Sequence, residues 1–259
     1  MNNVKLPFIP ERTQKPRKYG ITMVMDKGLS VREAEDFMSV GSEYTDFVKF
    51  GFGTSVITPG YKEKIKIYKN AGVVPYFGGT LFEAFLIRNM LDDFVRFVQE
   101  NEITLIEISD GSFEIEHSRK LEYINKLSDI ATVISEVGSK KKEVVYTPEQ
   151  WVAMMKAELG AGSAKVIAEA RESGTVGIYN DDGSINHSVV DAISTHVKLE
   201  NVIWEAPMKS QQVWFIKHFG ANVNLGNIPP GEIIPLETLR LGLRGDTFFQ
   251  FLPENLIKG

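Results

Sequence analysis

Between residues 133 and 205 the chain writes one phrase three times: Val133-Ile134-Ser135-Glu136, Val166-Ile167-Ala168-Glu169 and Val202-Ile203-Trp204-Glu205. Leu105-Ile106-Glu107 is a near copy upstream. The three Val-Ile starts are 33 and 36 residues apart, close to the roughly 30 residues of one strand–helix–strand unit. A short β-branched run bounded by turn residues reads as a buried strand. Each copy therefore predicts a parallel strand that ends in a carboxylate.

The same alternation continues in both directions. Strands are predicted at Ile21–Met25, Asp46–Phe50, Val73–Phe77, Thr104–Ile108, Ala131–Glu136, Lys165–Glu169, Val202–Glu205 and Val223–Leu225. Helical patterns fill the intervals at about 30–41, 61–71, 80–100, 118–127, 147–159, 186–197, 208–219 and 235–243. Ser30 with Glu33, and Thr80 with Glu83, fit capping boxes. Thr147-Pro148 reads as an N-cap followed by proline at the first helical position. Eight alternating units are the number a closed barrel needs, so the fold class is α/β, a single (β/α)8 TIM barrel over residues 20–259. An open doubly wound sheet would carry a glycine-rich phosphate turn after its first strand, where this chain has Asp26-Lys27-Gly28. Residues 1–19, with three prolines and five basic residues, form an N-terminal arm lying on the surface or across a neighbouring subunit.

Composition narrows the function. The chain has 259 residues, 43% of them hydrophobic and 24% charged, an ordinary globular balance. It contains no cysteine, which excludes disulfides, thiolate metal sites and a cysteine nucleophile, and fits a reducing cytoplasm. No apolar run reaches the roughly 18 residues of a membrane span, and the first residues lack the apolar core of a signal peptide. A net charge of −5 gives no sign of nucleic-acid binding. The basic arm and the exposed helix faces point to a homo-oligomer.

The strand ends carry the chemistry. Active sites of barrel enzymes sit at the C-terminal edge of the strands, where Glu107, Glu136, Glu169 and Glu205 all fall. Buried glutamates are costly unless paired or bound to metal. With no cysteine and only four histidines, the hard oxygen donors point to magnesium. Lys49, between Val48 and Phe50, points into the barrel or its mouth. Lys27, Lys140, Arg171 and Arg244 lie at or near strand ends and are candidates for holding anions. Asn224-Leu225-Gly226-Asn227 reads as a turn after the eighth strand, where barrels often hold phosphate.

At these residues the chain resembles the phosphosulfolactate synthase family, which supplies the first intermediate of one coenzyme M pathway. The resemblance spans residues 18–248 and rests on MDKGLS (25–30), DFVKFGFGTS (46–55), GGTLFE (78–83), EISDG (107–111), EVGSK (136–140), EARESG (169–174), EAPMKSQQ (205–212), VNLGNI (223–228) and LETLRLGLRGDTF (236–248). It implies a (β/α)8 barrel with an enolase-like site and magnesium-dependent addition of sulfite to phosphoenolpyruvate. The product is then (2R)-phospho-3-sulfolactate. Lys140 matches the family's proposed general acid, with Lys49 and Glu136 beside it as catalytic candidates. Two readings compete with this one. One is a Schiff-base aldolase using Lys49 or Lys140, or a related lyase, acting on a small phosphorylated acid; the other is a non-catalytic, stress-associated barrel of the same family.

Overall fold

The computed structural model describes residues 4–139, 144–170 and 173–258. Eight strands form one sheet: β1 (Thr22–Asp26), β2 (Phe47–Phe50), β3 (Val74–Phe77), β4 (Leu105–Ile108), β5 (Thr132–Val137), β6 (Lys165–Ala168), β7 (Val202–Glu205) and β8 (Leu225–Ile228). The helices are α1 (Val31–Gly41), α2 (Tyr61–Asn70), α3 (Gly79–Leu86), α4 (Leu91–Glu100), α5 (His117–Ser128), α6 (Pro148–Gly160), α7 (His187–His196), α8 (Lys209–Phe219), α9 (Ile233–Arg240) and the short α10 (Glu254–Ile257). The strand order is β3-β2-β1-β8-β7-β6-β5-β4. All the pairings are parallel, and the sheet curls into a nearly closed (β/α)8 barrel. No helix among the described residues is long and apolar enough to cross a membrane.

Alternation along the strands divides the molecule into two layers. Phe50, Phe77 and Trp204 point outward. Phe50 packs on Tyr68 of α2, Phe77 on Phe97 of α4, and Trp204 stacks on Phe215 and Phe219 of α8. Their neighbours Lys49, Tyr76 and Glu205 consequently point inward, because successive side chains of a strand face opposite sides. β3 and β4, at the two ends of the strand order, meet through side chains. Tyr76 donates its hydroxyl to Glu107 Oε2 (3.1 Å), and the Gly79 amide donates to Glu107 Oε1 (2.7 Å).

Two of the three expected helix starts are present. Ser30 and Glu33 exchange their capping hydrogen bonds at α1. Thr147 does the same with Gln150 at α6, with Pro148 in the first turn. The third is not. The helix expected over 80–100 is two helices, broken where Asn89 takes φ 57, and the N-cap of α3 is Gly78. Glu83 does not cap; its carboxylate accepts from the Ser109 hydroxyl and from the amides of Ser112 and Phe113 in the loop after β4.

The eighth strand is also displaced from its expected position. It begins at Leu225, so Asn224 lies at the N-terminal end of the barrel and not in a turn at the mouth. There Asn224 Oδ1 accepts from Ile21 N–H (3.0 Å), and Nδ2 donates to the Val202 carbonyl (2.9 Å) and the Glu200 carbonyl (3.0 Å). Gly226 lies within the strand. A Cβ there would meet Met23 Cε at 2.4 Å and Ile203 Cγ2 at 3.0 Å, so glycine relieves crowding inside the barrel.

The same end is closed by arginines. Arg240 Nη1 donates to the carbonyls of Ala221 (2.6 Å) and Val223 (2.7 Å). From the N-terminal arm, Arg12 pairs with Glu237 of α9 (2.9 Å) and donates to the Ala221 carbonyl (3.0 Å).

Candidate active site

Three inward glutamates meet one lysine at the C-terminal end of the sheet. Lys49 Nζ lies 2.8 Å from Glu107 Oε1, 3.4 Å from Glu136 Oε2 and 3.8 Å from Glu205 Oε1. All four residues are buried. Burial works against the ammonium charge, but Glu107, Glu136, Tyr76 and Glu205 outweigh it and hold the Lys49 pKa well above the usual lysine range. The opposite balance holds at Glu205. Burial pushes its pKa up to about 7, against the pull of Lys49 and with help from the Glu136 charge. Burial and the neighbouring Glu107 raise the Tyr76 phenol well above its usual range, so it acts as a neutral donor.

The glutamates divide into two roles. Glu136, Glu169 and Glu205 each offer one carboxylate oxygen within 4.8 Å of the others. Three buried, hard oxygen donors converging on one point fit a magnesium-type cation. Glu107, expected among the metal ligands, lies outside that group. Its oxygens are taken by Gly79 N–H, the Tyr76 hydroxyl and Lys49, which makes it the counterion of the lysine. Glu205 is further held by the Ala170 amide (3.0 Å) on its Oε2, and its carbonyl accepts from the Tyr179 hydroxyl (2.6 Å).

Two buried lysines brace this rim from the helices. Lys120 of α5 donates to the Glu136 carbonyl (2.6 Å) and pairs with Asp110 (2.8 Å) and Glu158 (2.9 Å). Lys64 of α2 pairs with Asp26 Oδ2 (2.6 Å), and Asp26 Oδ1 accepts from the amides of Gly28 and Leu29, both at 2.8 Å. The turn that carries Lys27 is thereby fixed. Neither lysine was singled out from the sequence. The signal was present: Lys120 shares the buried stripe of α5 with Ile124 and Leu127, and Lys64 that of α2 with Tyr68. A lysine on an apolar stripe implies a buried partner.

The remaining expected residues are more scattered. Lys27 is exposed after β1, 5.7 Å from the Phe52 ring centroid. Arg244 is partly buried beyond α9, with Nε 4.0 Å from Asp246, whose carboxylate is taken up by Lys209 of α8 at 2.7 Å. Its Nη1 is buried with no hydrogen-bond partner among the described residues. Asn224 and Gly226 are structural, as described above. Lys140 and Arg171 lie outside the described residues.

A (β/α)8 barrel whose strand ends gather buried carboxylates round a lysine has the architecture of a barrel enzyme. Residues 10–246 match the family model described as (2R)-phospho-3-sulfolactate synthase (ComA), and the chain belongs to that family. It is 43% identical over 244 residues to the phosphosulfolactate synthase of Methanothermobacter thermautotrophicus, covering 92% of this chain and 95% of the relative. It is 42% identical over 252 residues to the phosphosulfolactate synthase of Bacillus subtilis, covering 96% and 100%. Among solved structures it resembles the YdjI aldolase of Escherichia coli K12 (TM-score 0.56, 12% identity, 83% of this chain and 76% of the other). It also resembles a phosphonopyruvate hydrolase complex with oxalate and Mg++ (TM-score 0.54, 10% identity, 83% and 77%). At those identities the likeness is one of fold.

Proposed function

We propose that this chain is a phosphosulfolactate synthase that adds sulfite to phosphoenolpyruvate in the presence of magnesium, giving (2R)-phospho-3-sulfolactate. The observation that carries the proposal is the convergence of Glu136, Glu169 and Glu205 oxygens within 4.8 Å, in a chain of this family. These three glutamates would hold the ion. When bound, magnesium supplies a Lewis acid for negative charge developing on the substrate carboxylate.

The sulfur lone pair of sulfite adds to the methylene carbon of phosphoenolpyruvate. The C2–C3 π electrons move toward the carboxylate, and a proton delivered to C2 completes the product. Atoms balance with no oxidant and no leaving group. Both substrates are anions, so their encounter needs positive charge at the mouth. Arg244, whose Nη1 is buried with no hydrogen-bond partner among the described residues, Lys27 and Arg171 are the candidate clamps. Lys140, four residues past Glu136, is assigned as the proton donor to C2. Lys49, locked as an ammonium among carboxylates, balances charge beneath the substrate.

That locked ammonium weighs against the aldolase reading, which requires a neutral amine to attack a carbonyl. The test is direct. The protein is incubated with phosphoenolpyruvate, sulfite and magnesium, and the enol absorbance is followed. The expected result is loss of absorbance that needs both sulfite and magnesium, with a product heavier by one sulfite. Folded, magnesium-loaded protein that leaves the absorbance unchanged would overturn the assignment.

A further inference from the structure

The cation at the centre of the glutamate cluster is part of the chain. Lys49 Nζ lies within 4 Å of carboxylate oxygens from three different strands, those of Glu107 on β4, Glu136 on β5 and Glu205 on β7. Its side chain is only 7% exposed. Carboxylates this close repel one another unless positive charge is placed between them. Carboxylate-rich sites commonly meet that need with two divalent ions about 3.5–4 Å apart. Here the described residues divide differently. Glu136, Glu169 and Glu205 converge on one point, and Glu107 faces the ammonium, with neutral donors from Gly79 and Tyr76 around it.

We propose that Lys49 is a built-in cation standing where a second divalent ion would otherwise bind, so that the mouth accepts one metal ion and not two. This rests on the reading above for the first ion and goes beyond it. Lys49 is then a positioning residue. It takes Glu107 out of the ligand set and draws Glu136 and Glu205 toward one side of the cluster. An ammonium tethered to β2 does not exchange with solvent and carries one charge where a divalent ion would carry two. The substrate anions therefore meet a mouth of fixed charge whatever the free metal concentration.

The test is a count of bound ions. Manganese(II), another hard divalent ion that prefers oxygen ligands, is titrated into the wild type, Lys49→Met, Lys49→Arg and the double variant Lys49→Met/Glu107→Gln. Binding is read from the loss of the free-ion spin-resonance signal. Lys49→Met is expected to bind one more ion per chain than the wild type and to show a spin-coupled spectrum. The double variant and Lys49→Arg are expected to return to the wild-type count. If Lys49→Met is unstable without metal, its thermal midpoint is expected to rise on adding manganese by more than that of the wild type. Equal counts in the wild type and Lys49→Met, or no extra gain in midpoint, would overturn the inference. A wild type that binds no manganese overturns the magnesium assignment and the one-ion count together, whereas one ion in both the wild type and Lys49→Met overturns the inference alone.

Discussion

The two ends of this barrel handle buried charge in opposite ways. At the N-terminal end the charged and polar side chains bond mostly to backbone carbonyls and amides, and Arg12 also to a side-chain partner. Arg240 reaches the Ala221 and Val223 carbonyls, Arg12 reaches Glu237 and Ala221, and Asn224 ties Ile21 to Val202. At the C-terminal end carboxylates face one another. Three of them meet within 4.8 Å, and a buried glutamate has its pKa pushed up to about 7. One end is arranged for stability, and the other holds like charges close together, with Lys49 offsetting part of the cost. Strain of this kind is characteristic of a functional site.

The sharpest way to break the comparison is to neutralise a glutamate at the mouth. Glu205→Gln should lower turnover in the sulfite assay by about 10³-fold, or roughly 4 kcal/mol. The same change should stabilise the metal-free protein. Because the folded pKa lies above that of the unfolded chain, metal-free wild type should lose stability as pH rises from about 4.5 to about 7. Thermal melts at pH 5 and pH 8 should show that slope in the wild type and a smaller one in Glu205→Gln.

At the sealed end the signs reverse. Arg240→Met removes the guanidinium donor to the Val223 carbonyl and leaves the Ala221 carbonyl to Arg12 alone, and should cost about 2–3 kcal/mol of stability, with turnover per folded molecule unchanged. Denaturant titration and active-fraction measurements check both halves. Asn224→Ala should cost about 2 kcal/mol by the same route. Loss of turnover in that variant beyond its folded fraction would return Asn224 to the substrate site. The smallest effect is expected between the two ends. Gly226→Ala crowds Met23 and Ile203 and should cost about 1–2 kcal/mol through overpacking, read as a lower midpoint.

The sequence made the mouth more legible than the base. The Val-Ile-x-Glu phrase predicts both the strands and the inward carboxylates, because alternation across a sheet fixes which residue faces in. Lys49 was readable for the same reason. The base was not readable. Arg240 stands in the last turn of α9, where arginine usually caps exposed carbonyls, and nothing local shows that the helix end plugs a barrel. Asn224 and Gly226 were read as a phosphate turn because their residue types suit one; only the pairing of Gly226 with Glu205 shows that the strand starts later. The separation of Glu107 from the other three glutamates depends on Tyr76 and the Gly79 amide, contributed across the seam between β3 and β4. No spacing within one segment encodes that contact.

The measurement that tests the central claim most directly is the thermal midpoint of wild type and Glu205→Gln, each with and without saturating magnesium. A site completed by the ion should stabilise the wild type by about 2.7 kcal/mol at a hundredfold excess over its dissociation constant, or roughly 5–10 °C. Glu205→Gln should gain little. No magnesium shift in the wild type, or an equal shift in both proteins, would contradict the account of the mouth as a cation site.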